Sequence, residues 1–224
     1  MAQIRFLGHA AVLISDKPHG ASVVIDPFLS GNPQAQAKPN DLNVNYVLVT
    51  HAHGDHLGDA YDIANRNKAL FISTNEIAQE ASAKGLQARP MHIGGTAKLD
   101  FGWVKLVQAV HGSGIAGGLA AGFLLSFYGH IIYHAGDTAL FGDMKMIGEM
   151  APIEVAMLPI GGNYTMDQND AVKAVELLHP ATVVPIHYNT WPPIAADPQR
   201  FKKDVESSTQ SRVVILAPGE SLEL

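Results

Sequence analysis

Residues 47–60 read VLVTHAHGDHLGDA, in which an apolar run is followed within six positions by three histidines and an aspartate. These four residues are His51, His53, Asp55 and His56. A His-x-His-x-Asp-His pattern arises by chance in roughly one chain of this length per thousand. Such a cluster directly after a strand is typical of metal sites, so metal binding is a better interpretation than a solvated loop that happens to be rich in histidine.

The apolar residues 45–50 predict a strand that ends at this cluster. Because side chains alternate along an extended backbone, His51 and His53 point to the same side and can reach one ion. Asp55 and His56 come from the following turn and can bind a second ion. One short segment therefore begins two metal sites.

Three later predicted strands each end in a further candidate ligand. His111 follows WVKLVQAV, Asp137 follows IIYHAG, and His187 follows ATVVPI. Binding residues are often held on loops at strand ends, so we expect these three side chains to complete the two sites.

The composition limits the class of protein. The 224 residues, 47% of them hydrophobic, suffice for one α/β domain over residues 1–224. The chain has no cysteine, so nitrogen and oxygen atoms must hold any metal. Its net charge is −6 and its longest basic run is the pair Lys202 and Lys203, which is unlike a nucleic-acid or anionic-membrane binder.

The first residues, MAQIRFLGHAAVLISD, lack the basic segment and the long apolar core of a signal peptide. No stretch approaches the roughly 18 consecutive apolar residues that a membrane span needs. We therefore expect a cytoplasmic protein.

Strand and helix patterns alternate along the chain without a linker or a repeat. Helices are predicted at 59–67, 75–84, 137–150 and 170–178, the last capped by Asn169 or Asp170, and the final strand at 212–216. Strand-rich segments occur in both halves, which favours two sheets covered by helices over a single parallel sheet.

Taken together, THAHGDH, His111, the GDT of 136–138 and His187 resemble the ligand motifs of the metallo-β-lactamase superfamily. The resemblance implies a four-layer αββα sandwich with the site between the sheets at their common edge. It also implies that one metal is held by His51, His53 and His111 and the other by Asp55, His56 and His187, with Asp137 bridging the two.

Within the superfamily, FLGHAAVLI, IDPFLS, YHAGDT, PIGGNYTM and PIHYNT resemble the stand-alone metal-dependent hydrolases related to ascorbate-6-phosphate lactonase. The implied enzyme is a hydrolase with two divalent ions, zinc first and manganese second. A metal-bridging hydroxide would attack a lactone, a phosphodiester or a related ester-like bond of a small molecule.

The first candidate for catalytic proton transfer is Asp55, because the residue at this position lies beside the nucleophile in sites of this kind. His134 and His9 are candidates for the general acid, but a structural hydrogen bond explains each of them at least as well. Asp26 could orient a ligand histidine or simply form a turn.

The remaining expectations concern the pocket and the competing functions. Residues 112–118, GSGIAGG, are either a flexible lid or a plain connection, and Trp191 and Phe28 are candidate pocket walls. A nuclease or RNA-processing enzyme on the same fold, and a metal-bound module without turnover, are the alternatives to a small-molecule hydrolase. The sequence is compatible with a homo-oligomer.

Overall fold

The computed structural model describes residues 1–224, and its strands form two seven-stranded sheets with helices on their outer faces. The predicted αββα sandwich is confirmed. None of the helices combines the length and the apolar character that crossing a membrane requires.

The first sheet has the strand order β14-β1-β2-β3-β4-β5-β6. Its strands are antiparallel from β14 to β3 and parallel from β3 to β6. Their bounds are β1 Ala2–Gly8, β2 Ala11–Asp16, β3 Ser22–Ile25, β4 Tyr46–Leu48, β5 Leu70–Thr74, β6 Ala88–Met91 and β14 Ser221–Glu223.

The second sheet has the order β13-β12-β11-β10-β9-β8-β7. Here β7 to β10 pair antiparallel, and β10 to β13 pair parallel. Their bounds are β7 Thr96–Leu99, β8 Gly102–Gln108, β9 Ala121–Phe127, β10 His130–His134, β11 Val155–Pro159, β12 Thr182–Ile186 and β13 Arg212–Val213.

Six α-helices accompany the sheets. They are α1 Gly54–Leu57, α2 Ala60–Asn67, α3 Asn75–Ala83, α4 Met144–Met150, α5 Gln168–Leu178 and α6 Pro198–Ser208. Two short 3-10 turns lie at Pro39–Asp41 and Pro192–Ile194.

Side-chain alternation along the strands divides the core into three layers. In β4, Tyr46 and Leu48 face the core between the sheets, whereas Val47 faces α2 and α3. In β9, Phe123 faces the core between the sheets and Leu124 faces the layer of α4, α5 and α6. Both faces of each strand are therefore buried, which explains why the sequences of these strands are continuous apolar runs.

Three predicted elements are wrong in extent. The helix predicted at 137–150 begins only at Met144, because the backbone of Thr138 is engaged by another loop: its carbonyl accepts a hydrogen bond from Met166 N–H at 3.0 Å. The left-handed φ of +61° at Gly136 also breaks a helical path just before Asp137.

The other two errors lie in the last third of the chain. Helix α5 begins at Gln168 and is capped by Asp167, not by Asn169 or Asp170. The strand predicted at 212–216 ends at Val213, and β14 and helix α6 were not predicted. Strand β14 forms by pairing with β1 at the opposite end of the sequence, which no local pattern indicates.

Candidate metal centre

The ends of five strands meet at one edge of the sandwich, and four of them carry the candidate ligands. Residues that follow β4, β8, β10 and β12 include His51, His111, Asp137 and His187, respectively. The fifth strand, β3, ends directly before Asp26, which lies behind the ligands. Strand ends at a common edge thus place residues far apart in sequence within a few ångströms.

His51, His53 and His111 form the first group, and each can offer a nitrogen within 4.8 Å of the others. His51 Nε2 lies 3.0 Å from His53 Nδ1. The His51 ring is fully buried, whereas His53 and His111 are partly exposed. The structure therefore brings together the three histidines that the resemblance assigned to one ion.

Asp55, His56 and His187 form the second group, together with His9. His187 Nε2 lies 3.8 Å from Asp55 Oδ2, and His9 Nε2 lies 3.2 Å from the same oxygen. Three of these four are the residues assigned to the second ion. The fourth, His9, was considered from the sequence as a general acid or as a residue with a structural hydrogen bond, but not as a ligand.

Asp137 lies between the two groups and is almost fully buried. Its Oδ1 is 3.1 Å from His56 Nε2, and its Oδ2 is 3.2 Å from His187 Nε2 and 3.4 Å from His111 Nε2. Because Oδ2 faces one histidine of each group, this carboxylate is suited to bridging two cations.

Several buried polar atoms in this cluster have no hydrogen-bond partner. They are His56 Nε2, Asp137 Oδ1 and both ring nitrogens of His187. A buried polar atom without a partner is costly, and lone pairs of nitrogen and carboxylate oxygen are the donors that zinc and similar divalent ions take. The residues present therefore fit a metal centre.

Asp26 and Thr50 fix the ring orientation of two ligand histidines. Asp26 Oδ2 accepts hydrogen bonds from His56 Nδ1 at 2.8 Å and from the Thr50 hydroxyl at 2.7 Å. Because that hydroxyl donates to Asp26, its oxygen is free to accept from His51 Nδ1, 3.0 Å away. Both histidines therefore turn Nε2 toward the cluster, which is how carboxylate and hydroxyl partners orient metal ligands.

The electrostatics of the cluster differ from one histidine to the next. Burial lowers the pKa of His51 to about 3, which keeps its ring neutral. Burial alone would lower the pKa of His56 too, but the Asp137 and Asp26 carboxylates raise it well above its usual value. Conversely, burial opposes ionisation of Asp137, yet His56 and His187 hold its pKa well below the usual range.

Asp55 is the most accessible carboxylate of the centre, with 27% of its side chain exposed. Burial would raise its pKa, but the hydrogen bond from His9 and the nearby His56 lower it well below the usual value. His9 is held in turn by Thr190 Oγ1, 2.7 Å from its Nδ1. Burial lowers the pKa of His9 to about 4, so its neutral ring can donate to Asp55 through Nε2.

His134 is fully buried, and both of its ring nitrogens are bonded to the backbone. Nε2 donates to the Ala10 carbonyl at 2.9 Å, and Nδ1 accepts from Gly136 N–H at 3.1 Å. The side chain ties β10 to the turn before β2 and has no free donor facing the ligands. This geometry argues against the proton-donor role considered for His134.

A cavity of about 250 Å³ opens onto the ligands. It is lined by His53, Asp55, His111, Asp137, Tyr164 and His187. Tyr164 was quoted from the sequence only as part of a motif, and no spacing signal marked it as a pocket residue. Trp191 and Phe28, the candidate walls, lie beside His9, with ring centroids 5.0 and 6.0 Å from its imidazole.

The base of the glycine-rich loop 112–118 is fastened to the histidine motif. Ala52 N–H donates to the Ser113 carbonyl at 2.7 Å. A Cβ on Gly114, whose φ is +71°, would lie 2.6 Å from the carbonyl carbon of Ala52. Glycine is therefore required here for close backbone approach, and the base of the loop is a connection rather than a lid.

Comparisons with known proteins agree on the kind of protein that carries this centre. Residues 21–188, which include all seven predicted ligands, match a family model described as a beta-lactamase superfamily domain. A UPF0173 metal-dependent hydrolase of Natranaerobius thermophilus is 50% identical over 222 residues, covering 99% of both chains. One from Pyrococcus abyssi is 49% identical over 231 residues, covering 100% of both.

Solved structures support the same fold, and the first of the two below is also a metallo hydrolase. Igni18, a metallo hydrolase of Ignicoccus hospitalis, has a TM-score of 0.92 at 40% identity, covering 100% of this chain and 99% of its own. CmlA, a diiron β-hydroxylase of Streptomyces venezuelae, has a TM-score of 0.79 at 15% identity, with 54% of its chain covered, and shows the fold alone. The narrower resemblance to ascorbate-6-phosphate lactonase stays a prediction.

Proposed function

This chain belongs to the beta-lactamase superfamily, among the UPF0173 metal-dependent hydrolases, and on that premise we propose that it uses two metal ions to hydrolyse an ester-like bond of a small molecule. Lactones, carboxylic esters and phosphodiesters contain such bonds. Zinc is the first choice of metal, because imidazole dominates the donor set, and manganese is the second.

One observation carries the proposal: seven side chains with metal-binding donor atoms converge at the floor of an open cavity, and three of them, His56, Asp137 and His187, have buried donor atoms without a hydrogen-bond partner. A structural metal site is normally closed by its protein ligands, whereas a catalytic site leaves room for a solvent molecule or a substrate. Here the cavity gives that room directly above the ligands.

The ligands divide between the two ions as the resemblance implies. His51, His53 and His111 would hold one ion, and Asp55, His56 and His187 the other. Ions bound there would supply Lewis acidity, lowering the pKa of a water and polarising the oxygen of the electrophile.

The chain's own groups would position the reactants and move the proton. Asp55 lines the cavity and is ionised, so it can accept the proton that the attacking water loses. His9 holds one oxygen of that carboxylate, and Asp26 holds the ring of His56, so neither ligand needs to reorganise. Tyr164 is the one cavity residue outside the ligand set and can contact the substrate.

The test is the turnover of a panel of lactones, thioesters, carboxylic esters and phosphodiesters by the zinc-loaded protein and by Asp55→Asn. We expect turnover of at least one class, and a loss of at least a hundredfold in the variant. His92→Ala is the matched control, because His92 is exposed and outside the cluster. Its activity should equal that of the unchanged protein.

Two results would contradict the proposal. A protein that binds metal but turns over no member of the panel would support the module without catalysis. Tight, salt-sensitive RNA binding in a filter assay would instead favour the nuclease, since such binding depends on counterion release from phosphates.

A further inference from the structure

Large apolar side chains are exposed mainly on loops at the edge of the sandwich that holds the candidate metal centre. Apart from Met1, the exposed large hydrophobic residues are Val110, Leu119, Met146, Met150, Tyr164 and Trp191. Four of these six lie in loops that carry a candidate ligand or line the cavity, and we call Val110, Leu119, Tyr164 and Trp191 the apolar rim. Exposed apolar groups gathered at a cavity mark a surface that contacts a ligand.

Each rim residue is tied to the centre by its place in the chain. Val110 directly precedes His111, and Leu119 lies in the segment between His111 and β9. Tyr164 lines the cavity itself. Trp191 packs edge-on against His9 at 5.0 Å and beside Phe28 at 6.1 Å, so an aromatic surface continues from the Asp55 side of the centre.

These side chains are exposed although they are large. Leu119 is 59% exposed and Tyr164 is 58% exposed. The neighbouring Ile115, by contrast, is packed against the core between the first sheet and its helices. The rim therefore adds little to the core, and its apolar area is available to a substrate.

The same loops carry no cationic side chain. Residues 109–120, 135–143, 160–167 and 187–197 contain neither lysine nor arginine. Among their acidic residues, Asp167 and Asp197 are used as helix caps. Lys38, the one basic residue of the loop after β3, is not among the cavity residues.

A phosphate or carboxylate remote from the reacting bond is normally bound by arginine or lysine, since these supply charge-assisted hydrogen bonds. A substrate with such a group would here meet apolar side chains and the Asp55 carboxylate. An uncharged substrate with a hydrocarbon or aromatic substituent would instead bury that substituent against the rim.

We propose that the centre acts on uncharged acyl compounds, that is, carboxylic esters, lactones or thioesters, whose apolar substituent lies against the rim of Val110, Leu119, Tyr164 and Trp191. The proposal rests on the hydrolase function proposed above and narrows its substrate class. In the reaction, one water is consumed: its oxygen forms the new bond to the acyl carbon as the bond to the leaving oxygen or sulfur breaks. The leaving group takes up one proton, and the acid product releases the other.

The experiment uses 4-nitrophenyl esters, whose hydrolysis is followed by the release of 4-nitrophenolate. The zinc-loaded protein is given the acetate, butyrate and hexanoate, and the glutarate monoester, whose acyl chain ends in a carboxylate. We expect kcat/KM to rise by roughly fourfold for each added methylene until the rim is covered. The glutarate should be at least tenfold poorer than the hexanoate.

Substitutions in the rim test whether the preference for longer acyl chains comes from the rim or only from the hydrophobicity of the esters. Leu119→Ser and Tyr164→Ser should flatten the dependence of kcat/KM on chain length. Met146→Ser is the matched control, because Met146 is 58% exposed and lies on α4, outside the rim. It should leave the chain-length dependence unchanged.

The outcomes distinguish this inference from the function on which it rests. A kcat/KM that is independent of chain length, or a glutarate hydrolysed as well as the hexanoate, would overturn the proposed substrate class. The proposed hydrolase function would still stand. If neither these esters nor any compound of the wider panel is hydrolysed, the proposed hydrolase function itself is contradicted. A dimer that Leu119→Ser converts to a monomer, with no chain-length dependence, would show that a second copy covers the rim and would also overturn the inference.

Discussion

Asp26 Oδ2 accepts a hydrogen bond of 2.8 Å from His56 Nδ1, and both side chains are fully buried. Asp26 is also held in the left-handed region, with a φ of +48°. This strained turn places the carboxylate behind the histidine that faces Asp137, so a residue outside the candidate ligand set fixes the direction of a candidate ligand atom.

Replacing Asp26 with asparagine should weaken metal binding. The substitution removes the carboxylate that accepts from His56 and Thr50, so the affinity of the second site should fall by about 10- to 100-fold. Competition with a chromogenic chelator measures this affinity, and circular dichroism confirms that the variant is folded. Asp16→Asn is the control, since Asp16 also accepts from a histidine, His19, at 2.8 Å but lies away from the centre. Equal affinities in the two variants would contradict the role of Asp26.

Thr190→Val should lower kcat while the protein still binds its metal. The Thr190 hydroxyl is 2.7 Å from His9 Nδ1, and His9 in turn holds Asp55. Without this partner the His9 ring is no longer fixed, and we expect kcat to fall about tenfold, a loss typical of a displaced orienting group. Thr190→Ser, which keeps the hydroxyl, should restore the rate. Failure of serine to rescue would mean that the methyl packing of Thr190, and not its hydroxyl, matters.

Gly58→Ala should destabilise the fold. At a φ of +39°, a Cβ on Gly58 would lie 2.6 Å from Phe28 Cα and 2.8 Å from the Pro27 carbonyl oxygen, both backbone atoms. The free energy of unfolding should therefore fall by about 1–3 kcal/mol, measured by urea denaturation. The control is Gly54→Ala, because a Cβ at Gly54 has no neighbour within 4 Å. A loss in the control as large as that at Gly58 would contradict the steric explanation.

Asp167→Ala should cost about 1 kcal/mol of stability, since it removes the cap of α5. The Asp167 carboxylate accepts from the N–H groups of Asn169 and Asp170 at 2.8 and 2.9 Å. Asp170→Ala, at one of the two positions expected from the sequence to be the cap, removes only an acidic residue from the first turn and should cost less. Thermal unfolding of the two variants decides between them, and a larger loss in Asp170→Ala would reverse the assignment.

The convergence of the candidate metal ligands could be predicted because their signals are local. His51, His53, Asp55 and His56 lie in one motif, and each later candidate follows an apolar strand that ends at the same edge of the sandwich. The two-sheet fold could be predicted from the same strands. Resemblance to a known family then connected motifs that no spacing rule joins.

Other features depend on contacts between distant parts of the chain. His9 and Thr190 are 181 residues apart in sequence, and nothing beside either residue indicates the other. Tyr164 follows no strand end, and strand β14 exists only by pairing with β1. The helix predicted at 137–150 was too long because local propensity does not register the hydrogen bond that Met166 makes to Thr138.

The number of metal ions bound per chain tests the proposed dinuclear centre most directly. Protein stripped with a chelator and reloaded with zinc is measured by inductively coupled plasma mass spectrometry after gel filtration, beside His111→Ala and the control His92→Ala. We predict about two ions per chain in the unchanged protein and the control, and fewer in His111→Ala, because His111 is one of three ligands of the first ion. No bound ion in the unchanged protein, or the same number in His111→Ala, would contradict the seven-ligand centre.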